Sequence, residues 1–333
     1  MPFSPSAPSW LREMVKEARL GRREAGFAAT VEQLRSYQLH TVCESAQCPN
    51  RGSCYARNTA TFMILGDICT RGCAFCAVKR GKPLPADGEE PRRIRSMVEE
   101  LGLLHVVVTS VTRDDLPDGG AAQFAAVVRE LRDLPSPPAV EVLAPDFHGS
   151  EEALLKVLEA GPQVLGHNVE TVSRLYPQIR AGAVYARSLE LLRRAAEYAK
   201  AERSRRTERT RRARDSKLIR GAGNNDAVSS DSGDGLLLVK SGFMLGLGEE
   251  EKEVESLLGD LREVGVDIIT IGQYLAPSLK HYPVARYVSP EEFERWADRA
   301  KQMGFKGVAS GPLVRSSYQA GHYYQRALQA VKI

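Results

Sequence analysis

Apolar runs and amphipathic stretches alternate along most of this chain. Apolar, β-rich runs at Phe62–Leu65, Leu104–Thr109, Val140–Leu143, Val164–Leu165, Leu236–Leu245 and Ile268–Tyr274 read as buried strands. Helical patterns lie between them at Pro91–Leu101, Ala121–Leu134, Glu151–Leu158, Ser188–Lys200 and Glu249–Val264. Gly102, Gly161 and Gly265 stand just past helix ends, where a left-handed residue stops a helix. Repeated strand–helix units require parallel strands joined by right-handed crossovers. Six units predict an α/β fold, a partial (β/α)6 barrel of the TIM type rather than a closed eight-stranded one. Helices are expected upstream at Trp10–Arg23 and Thr30–Tyr37. Downstream come a helix at Pro290–Met303, a short strand at Gly307–Ala309 and a tail beginning Arg315-Ser-Ser-Tyr318. The expected organisation is an N-terminal extension over 1–60, a barrel over 61–288 and a C-terminal extension over 289–333.

One segment breaks the alternation. Arg203–Gly235 opens arginine-dense and ends in Asn, Asp, Ser and Gly; it lacks the apolar content to offset the entropy of ordering. It reads as a disordered insertion at 203–235; an RNA- or membrane-surface patch is the weaker alternative. It holds nine Lys/Arg and five Asp/Glu, a surplus equal to the whole net charge of +4, so the rest of the chain is neutral. The basic balance therefore does not describe a nucleic-acid-binding face. With 333 residues, 43% hydrophobic and 26% charged, the chain has the composition of a soluble globular enzyme with a large core. No apolar run reaches the roughly 18 residues of a membrane span. The opening Met1-Pro-Phe-Ser-Pro lacks the charged-then-apolar layout of a secretory signal.

All six cysteines fall in two trios, Cys43-x4-Cys48-x5-Cys54 and Cys69-x3-Cys73-x2-Cys76. Disulfide staples suit small secreted scaffolds, and close neighbours in sequence make poor partners. Metal ligation in a reducing compartment is the better reading. A structural zinc takes four ligands, commonly from two separated Cys pairs. Three cysteines in the short loop after the first strand instead suit a four-iron cubane, which keeps one iron open to chelate a substrate or cofactor. In parallel barrels chemistry gathers at the C-terminal strand ends, where this loop lies.

Cys69-Thr-Arg-Gly-Cys73-Ala-Phe-Cys76, including Phe75 before the last cysteine, resembles the cluster motif of radical S-adenosylmethionine (SAM) enzymes. The upstream text Val42-Cys-Glu-Ser-Ala-Gln-Cys-Pro-Asn50 and the trio it opens resemble the auxiliary cluster site of the lipoyl synthase family. Thr109-Ser-Val-Thr-Arg-Asp-Asp, Glu141-Val-Leu-Ala-Pro-Asp146, His167-Asn-Val-Glu-Thr171, Lys240-Ser-Gly-Phe-Met-Leu-Gly, Thr270-Ile-Gly-Gln-Tyr-Leu275 and Gly311-Pro-Leu-Val-Arg-Ser-Ser-Tyr318 follow in that family's order. Thr112 departs from it, standing where aspartate is common, and Arg203–Gly235 has no counterpart. The resemblance implies a barrel of the radical SAM kind and two 4Fe–4S clusters. Cys69, Cys73 and Cys76 would hold the SAM-binding cluster. Cys43, Cys48, Cys54 and Ser317 would hold the auxiliary one, whose serine ligand makes sense if it must come off. The plainer reading of Ser316-Ser317 is a helix cap before Tyr318–Val331. Thr109, Ser110, Glu141, Asn168 and Glu170, at expected strand ends, are placed to face SAM. His105 reads as a core histidine, and Arg113, Asp114 and Asp115 as ties between loops.

The implied reaction inserts two sulfurs at C6 and C8 of a carrier-bound octanoyl chain, with SAM as cosubstrate and the auxiliary cluster as sulfur source. Implied partners are octanoylated lipoyl domains or glycine-cleavage H protein, a low-potential donor such as ferredoxin or flavodoxin, and iron–sulfur repair proteins, with no nucleic acid and no membrane. The compartment would be bacterial cytoplasm, plastid or mitochondrial matrix. A methylthiotransferase or a biotin-synthase-like sulfur inserter is the nearest rival. A non-enzymatic zinc or iron–sulfur protein binding nucleic acid through the basic run is the rival of another class.

Overall fold

The computed structural model describes residues 7–219 and 236–331. Four helices precede the sheet: α1 (Ser9–Leu20), α2 (Ala25–Ser36), α3 (Val42–Ser45) and α4 (Arg51–Tyr55). The last two, one turn each, carry Cys43 and Cys54, and Cys48 lies in the loop between them. Gly21 and Gly52 are required where this layer packs backbone on backbone: a Cβ on Gly21 would lie 2.6 Å from the Gly52 carbonyl oxygen.

Seven parallel strands follow: β1 (Thr61–Ile64), β2 (His105–Ser110), β3 (Ala139–Leu143), β4 (Val164–Gly166), β5 (Leu238–Leu245), β6 (Ile268–Gln273) and β7 (Gly307–Gly311). They stand in chain order, each paired to the next, with β1 and β7 as the two edges. Their near-continuous burial is that of strands covered on both faces. Crossover helices α5 (Glu90–Leu101), α6 (Ala121–Arg132), α7 (Glu151–Glu159), α8 (Tyr176–Ile179), α9 (Tyr185–Ile219), α10 (Glu251–Glu263) and α11 (Pro290–Gln302) are followed by α12 (Ala320–Val331). Gly102, Gly161 and Gly265 all have positive φ, as their places past helix ends require.

The sheet runs one strand beyond the six expected. The short strand assigned to the C-terminal extension pairs with β6 from Ile268↔Gly307 to Gly272↔Gly311. The last helix of that extension, α12, closes the barrel floor. Tyr324, Ala327 and Leu328 of α12 pack on Val164, Leu238 and Ile268, which open their strands, and Tyr324 lies 5.6 Å from the His105 ring on β2.

A second correction concerns the basic run. Arg203–Ile219 is helical, the continuation of α9, rather than disordered. A helix already nucleated by its packed first half extends cheaply, and arginine, alanine and glutamate are good helix formers. Hydroxyls of Ser204, Thr207 and Thr210 bond back to carbonyls four residues earlier, and Arg205 pairs with Glu202. Arg203 reaches the Leu237 carbonyl at 3.0 Å, tying the helix to the approach to β5. The remainder of the expected insertion, 220–235, lies outside the described residues. Among the described residues no helix is long and apolar enough to cross a membrane.

Candidate active site

β1 ends in a turn at Leu65 (φ +68°) and Gly66 (φ +88°) that delivers the Cys69–Cys76 loop onto the barrel mouth. Backbone bonds from three directions fix this loop. Thr70 donates through its N–H and hydroxyl to the Thr112 carbonyl after β2, and Ala74 N–H donates to Ile179 in α8. Tyr282 N–H donates to Ala74, and His281 Nε2 lies 3.1 Å from the Cys76 carbonyl oxygen. Arg71, between the first two cysteines, grips Asp114 with two bonds of 2.7 and 2.9 Å and Asp146 with one of 2.8 Å. Burial would raise the Asp146 carboxyl, but Arg71, and Arg187 behind it, outweigh it and bring it to about 2. The expectation that these loop residues act as ties holds for Asp114, and for Arg113, whose buried guanidinium bonds Asp115 and the Leu65 carbonyl.

The loop thiols are desolvated and within electrostatic reach of one another. Burial pushes Cys76 up to about 12, with the charges of Cys73 and Cys69 adding to it. Burial also raises Cys73, against the nearby Arg180 guanidinium. Thiols that resist ionisation alone ionise when a cation binds them. Among the described residues no three His, Cys, Asp or Glu groups converge on one ion, whereas three corners of a four-iron cubane stand farther apart. Three partly buried thiols in one short loop fit such a cluster.

Polar groups from β2 and β4 surround the loop. The Ser110 hydroxyl is buried without a partner, as is Arg180 Nε, and such orphaned groups mark where a polar ligand belongs. Glu170 has φ +66°, rare outside glycine, and is held in that conformation by N–H and carbonyl bonds to Gly242 and Met244. Burial raises its carboxyl against Arg180, Asn168 and Arg315. Asn168 donates to Glu170 at 3.1 Å. Thr109, expected beside them, spends its hydroxyl on the Leu143 carbonyl at 2.9 Å.

Glu141 is not in this group. It sits in the middle of β3, two residues short of the strand end, facing the lower barrel interior. Its carboxylate meets Lys240 at 2.7 Å, with His105 at 3.6 Å, because a charge buried there needs a counter-charge. His105 is thus a core histidine, as expected. His167 is likewise structural, bonded to the Ala144 carbonyl and Ser188, and burial lowers it to about 4.

The upstream trio forms the second cluster of thiols. Burial and the neighbouring Cys48 push Cys43 to about 12 and Cys54 to about 11; burial raises Cys48 too, against Arg315. The C-terminal tail runs beside this trio: Asn50 donates to the Leu313 carbonyl at 2.7 Å, and Thr61 donates to Ser317 Oγ at 2.7 Å. Ser316 accepts from Asn168 at 2.5 Å, so the tail spans from the upstream trio to the barrel mouth.

Sequence reasoning missed Arg180 and Arg315. Arg180 Nη1 bonds the Asn168 carbonyl and the Tyr176 hydroxyl, with its guanidinium 5.1 Å from the Tyr176 ring and Cys73 nearby. No spacing marks an arginine that only folding brings to the site. Arg315 was visible in its motif, but its place between Cys48 and Glu170 was not.

The sequence model of the Radical SAM superfamily matches residues 63–204. Lipoyl synthase of Caldanaerobacter subterraneus subsp. tengcongensis is 50% identical over 94% of this chain and 95% of its own length. Those of Rubrobacter xylanophilus and Pyrobaculum arsenaticum are 47% and 48% identical, over 94% and 96% of this chain and 85% and 96% of theirs. Among solved structures, the crystal structure of HydG, a maturase of the FeFe hydrogenase, shares the fold. Its TM-score is 0.50 at 15% identity, over 89% of this chain and 65% of that longer one.

Proposed function

The chain belongs to the lipoyl synthase family of radical SAM enzymes, and on that premise we propose that it inserts two sulfur atoms, at C6 and C8, into an octanoyl chain amide-linked to a carrier-protein lysine. Use of SAM and of a 4Fe–4S cluster follows from the family. Bound at Cys69, Cys73 and Cys76, that cluster supplies the electron that cleaves SAM to the 5′-deoxyadenosyl radical. Arg71 holds the loop, while Glu170 and Arg180 offer opposite charges for the SAM amino and carboxylate groups in a buried, low-dielectric mouth. Ser110, Asn168 and Thr109 complete its wall. Each hydrogen taken from the octanoyl chain leaves as 5′-deoxyadenosine, so two SAM molecules are consumed.

We assign Cys43, Cys48, Cys54 and Ser317 to a second, auxiliary 4Fe–4S cluster that is the sulfur source. Held by those four residues, that cluster would supply the sulfur that the substrate carbon takes up. The observation carrying this reading is the seating of Ser317 beside the trio, through a hydrogen bond across 256 residues of sequence. The Ser316–Asn168–Glu170 link supports a single chamber serving both sites. The carrier in this reading is an octanoylated lipoyl domain or glycine-cleavage H protein. A low-potential donor such as ferredoxin or flavodoxin would feed the first site. The pocket lined by Cys54, Asn50, Arg57 and Tyr318 suits access by iron–sulfur repair proteins between turnovers.

The test is anaerobic incubation of reconstituted protein with octanoylated carrier, SAM and reductant, followed by mass analysis of the carrier. A carrier gaining two sulfurs, with isotope label from cluster sulfide, is expected. Cys73→Ala should abolish SAM cleavage. Cys48→Ala should retain SAM cleavage but yield no sulfur in the carrier; lipoylated product from that variant overturns the auxiliary assignment.

A further inference from the structure

Thr61 opens β1, a fully buried run in which nothing but packing is expected of a side chain. Yet its hydroxyl donates to Ser317 Oγ at 2.7 Å, and its N–H and hydroxyl also lie against the Cys43 thiol. One threonine therefore touches two of the four residues assigned to the auxiliary site, one from each end of the chain. The two partners differ in setting. Thr61 is 4% exposed on a strand paired with β2, with a β-branched side chain stiff about χ1. Ser317 sits in the turn between β7 and α12, a tail tied to the rest of the site by side-chain hydrogen bonds from Asn50, Asn168 and Thr61.

A hydroxyl has one hydrogen to give and lone pairs to accept with. A serine oxygen bound to iron carries no hydrogen, so it needs a donor, and Thr61 is in place as one. Once released, Ser317 has its own hydrogen and can remain on Thr61 as donor instead. The same contact thus serves both states without rearranging the strand.

We propose that Thr61 is a positioning residue for Ser317, directing its oxygen at the three-cysteine site and retaining it there after release. The proposal rests on the reading that Ser317 completes the auxiliary site.

The experiment uses the full chain, reconstituted in a Cys73→Ala background so that only auxiliary iron remains. The readout is the rate at which a ferrous chelator strips iron, followed alongside the Mössbauer spectrum. Thr61→Val should lose iron about tenfold faster, the scale of one hydrogen bond to a charged acceptor. Thr61→Ser, which keeps the hydroxyl, should return the rate to within about twofold of the parent. Thr61→Val added to Ser317→Ala should strip no faster than Ser317→Ala alone, because both remove one interaction. Unchanged stripping in Thr61→Val, no rescue by serine, or additive effects overturn the proposal. If Ser317→Ala itself leaves stripping and spectrum unchanged, the ligand reading fails instead. Should the valine variant not fold, a crystal structure of the loaded parent decides: the two hydroxyl oxygens within hydrogen-bond distance support the proposal, and their separation overturns it.

Discussion

Replacing Lys240 with methionine removes the counter-charge of Glu141 while keeping an apolar stem of similar length. The two groups lie 2.7 Å apart, with side chains only 3% and 2% exposed. At an effective dielectric of about 20 their attraction is roughly 6 kcal/mol, most of it offset by the cost of desolvating both ions. The single substitution leaves that cost on Glu141 uncompensated, and about 3–5 kcal/mol of stability should be lost. Its sign with pH is also determined. In the parent, burial raises the Glu141 carboxyl but Lys240 and His105 outweigh it and hold it below its ordinary value. Its contribution is therefore present above the unfolded value and is lost on acidification. In the variant, burial wins and the carboxyl rises. The folded state then binds the extra proton, and stability falls as pH increases. The two proteins should converge near pH 5 and diverge toward pH 8. Guanidinium unfolding followed by circular dichroism at both pH values measures this. Adding Glu141→Gln should recover most of the loss, and SAM cleavage should survive in the double variant. A loss below about 1 kcal/mol, or a double variant as unstable as the single, would refute the buried-pair reasoning.

Arg71→Lys keeps the charge but not the fork that spans Asp114 and Asp146, so the first cysteine loop should loosen; SAM cleavage should slow roughly ten- to a hundredfold, measured as 5′-deoxyadenosine formed. Burial holds Cys43 and Cys76 near 12 and Cys54 near 11, so reconstitution of the apoprotein should release protons and quicken from pH 7 to 9, as a pH-stat and iron uptake would record. Replacing residues 205–235 by a short linker should leave lipoyl formation unchanged, because α9 is anchored to the barrel by Arg203, before the cut.

Much of the architecture was legible because periodicity reports local geometry. The strand starting at His105 and the helix Ala121–Arg132 lie within a residue or two of their apolar runs. The arginine-dense run misled because composition reports whether a segment can build a core, not whether a preceding helix will simply continue through it. Glu141 misled for a related reason: its motif stands at a strand, but whether a side chain reaches the mouth depends on where that strand ends.

By itself the sequence set out the two cysteine trios and the radical SAM motif, since ligand type and spacing are properties of the local chain. It also carried the Arg315-Ser-Ser-Tyr318 motif. Only the tertiary structure decided that Ser317 reaches Thr61, that Arg180 and Arg315 sit half-buried near Cys73 and Cys48, and that Glu141 belongs to Lys240. Those are contacts between residues far apart in the chain. They are set by sheet register and by the tail crossing the barrel mouth, and burial is what gives their charges and hydroxyls the strength to act.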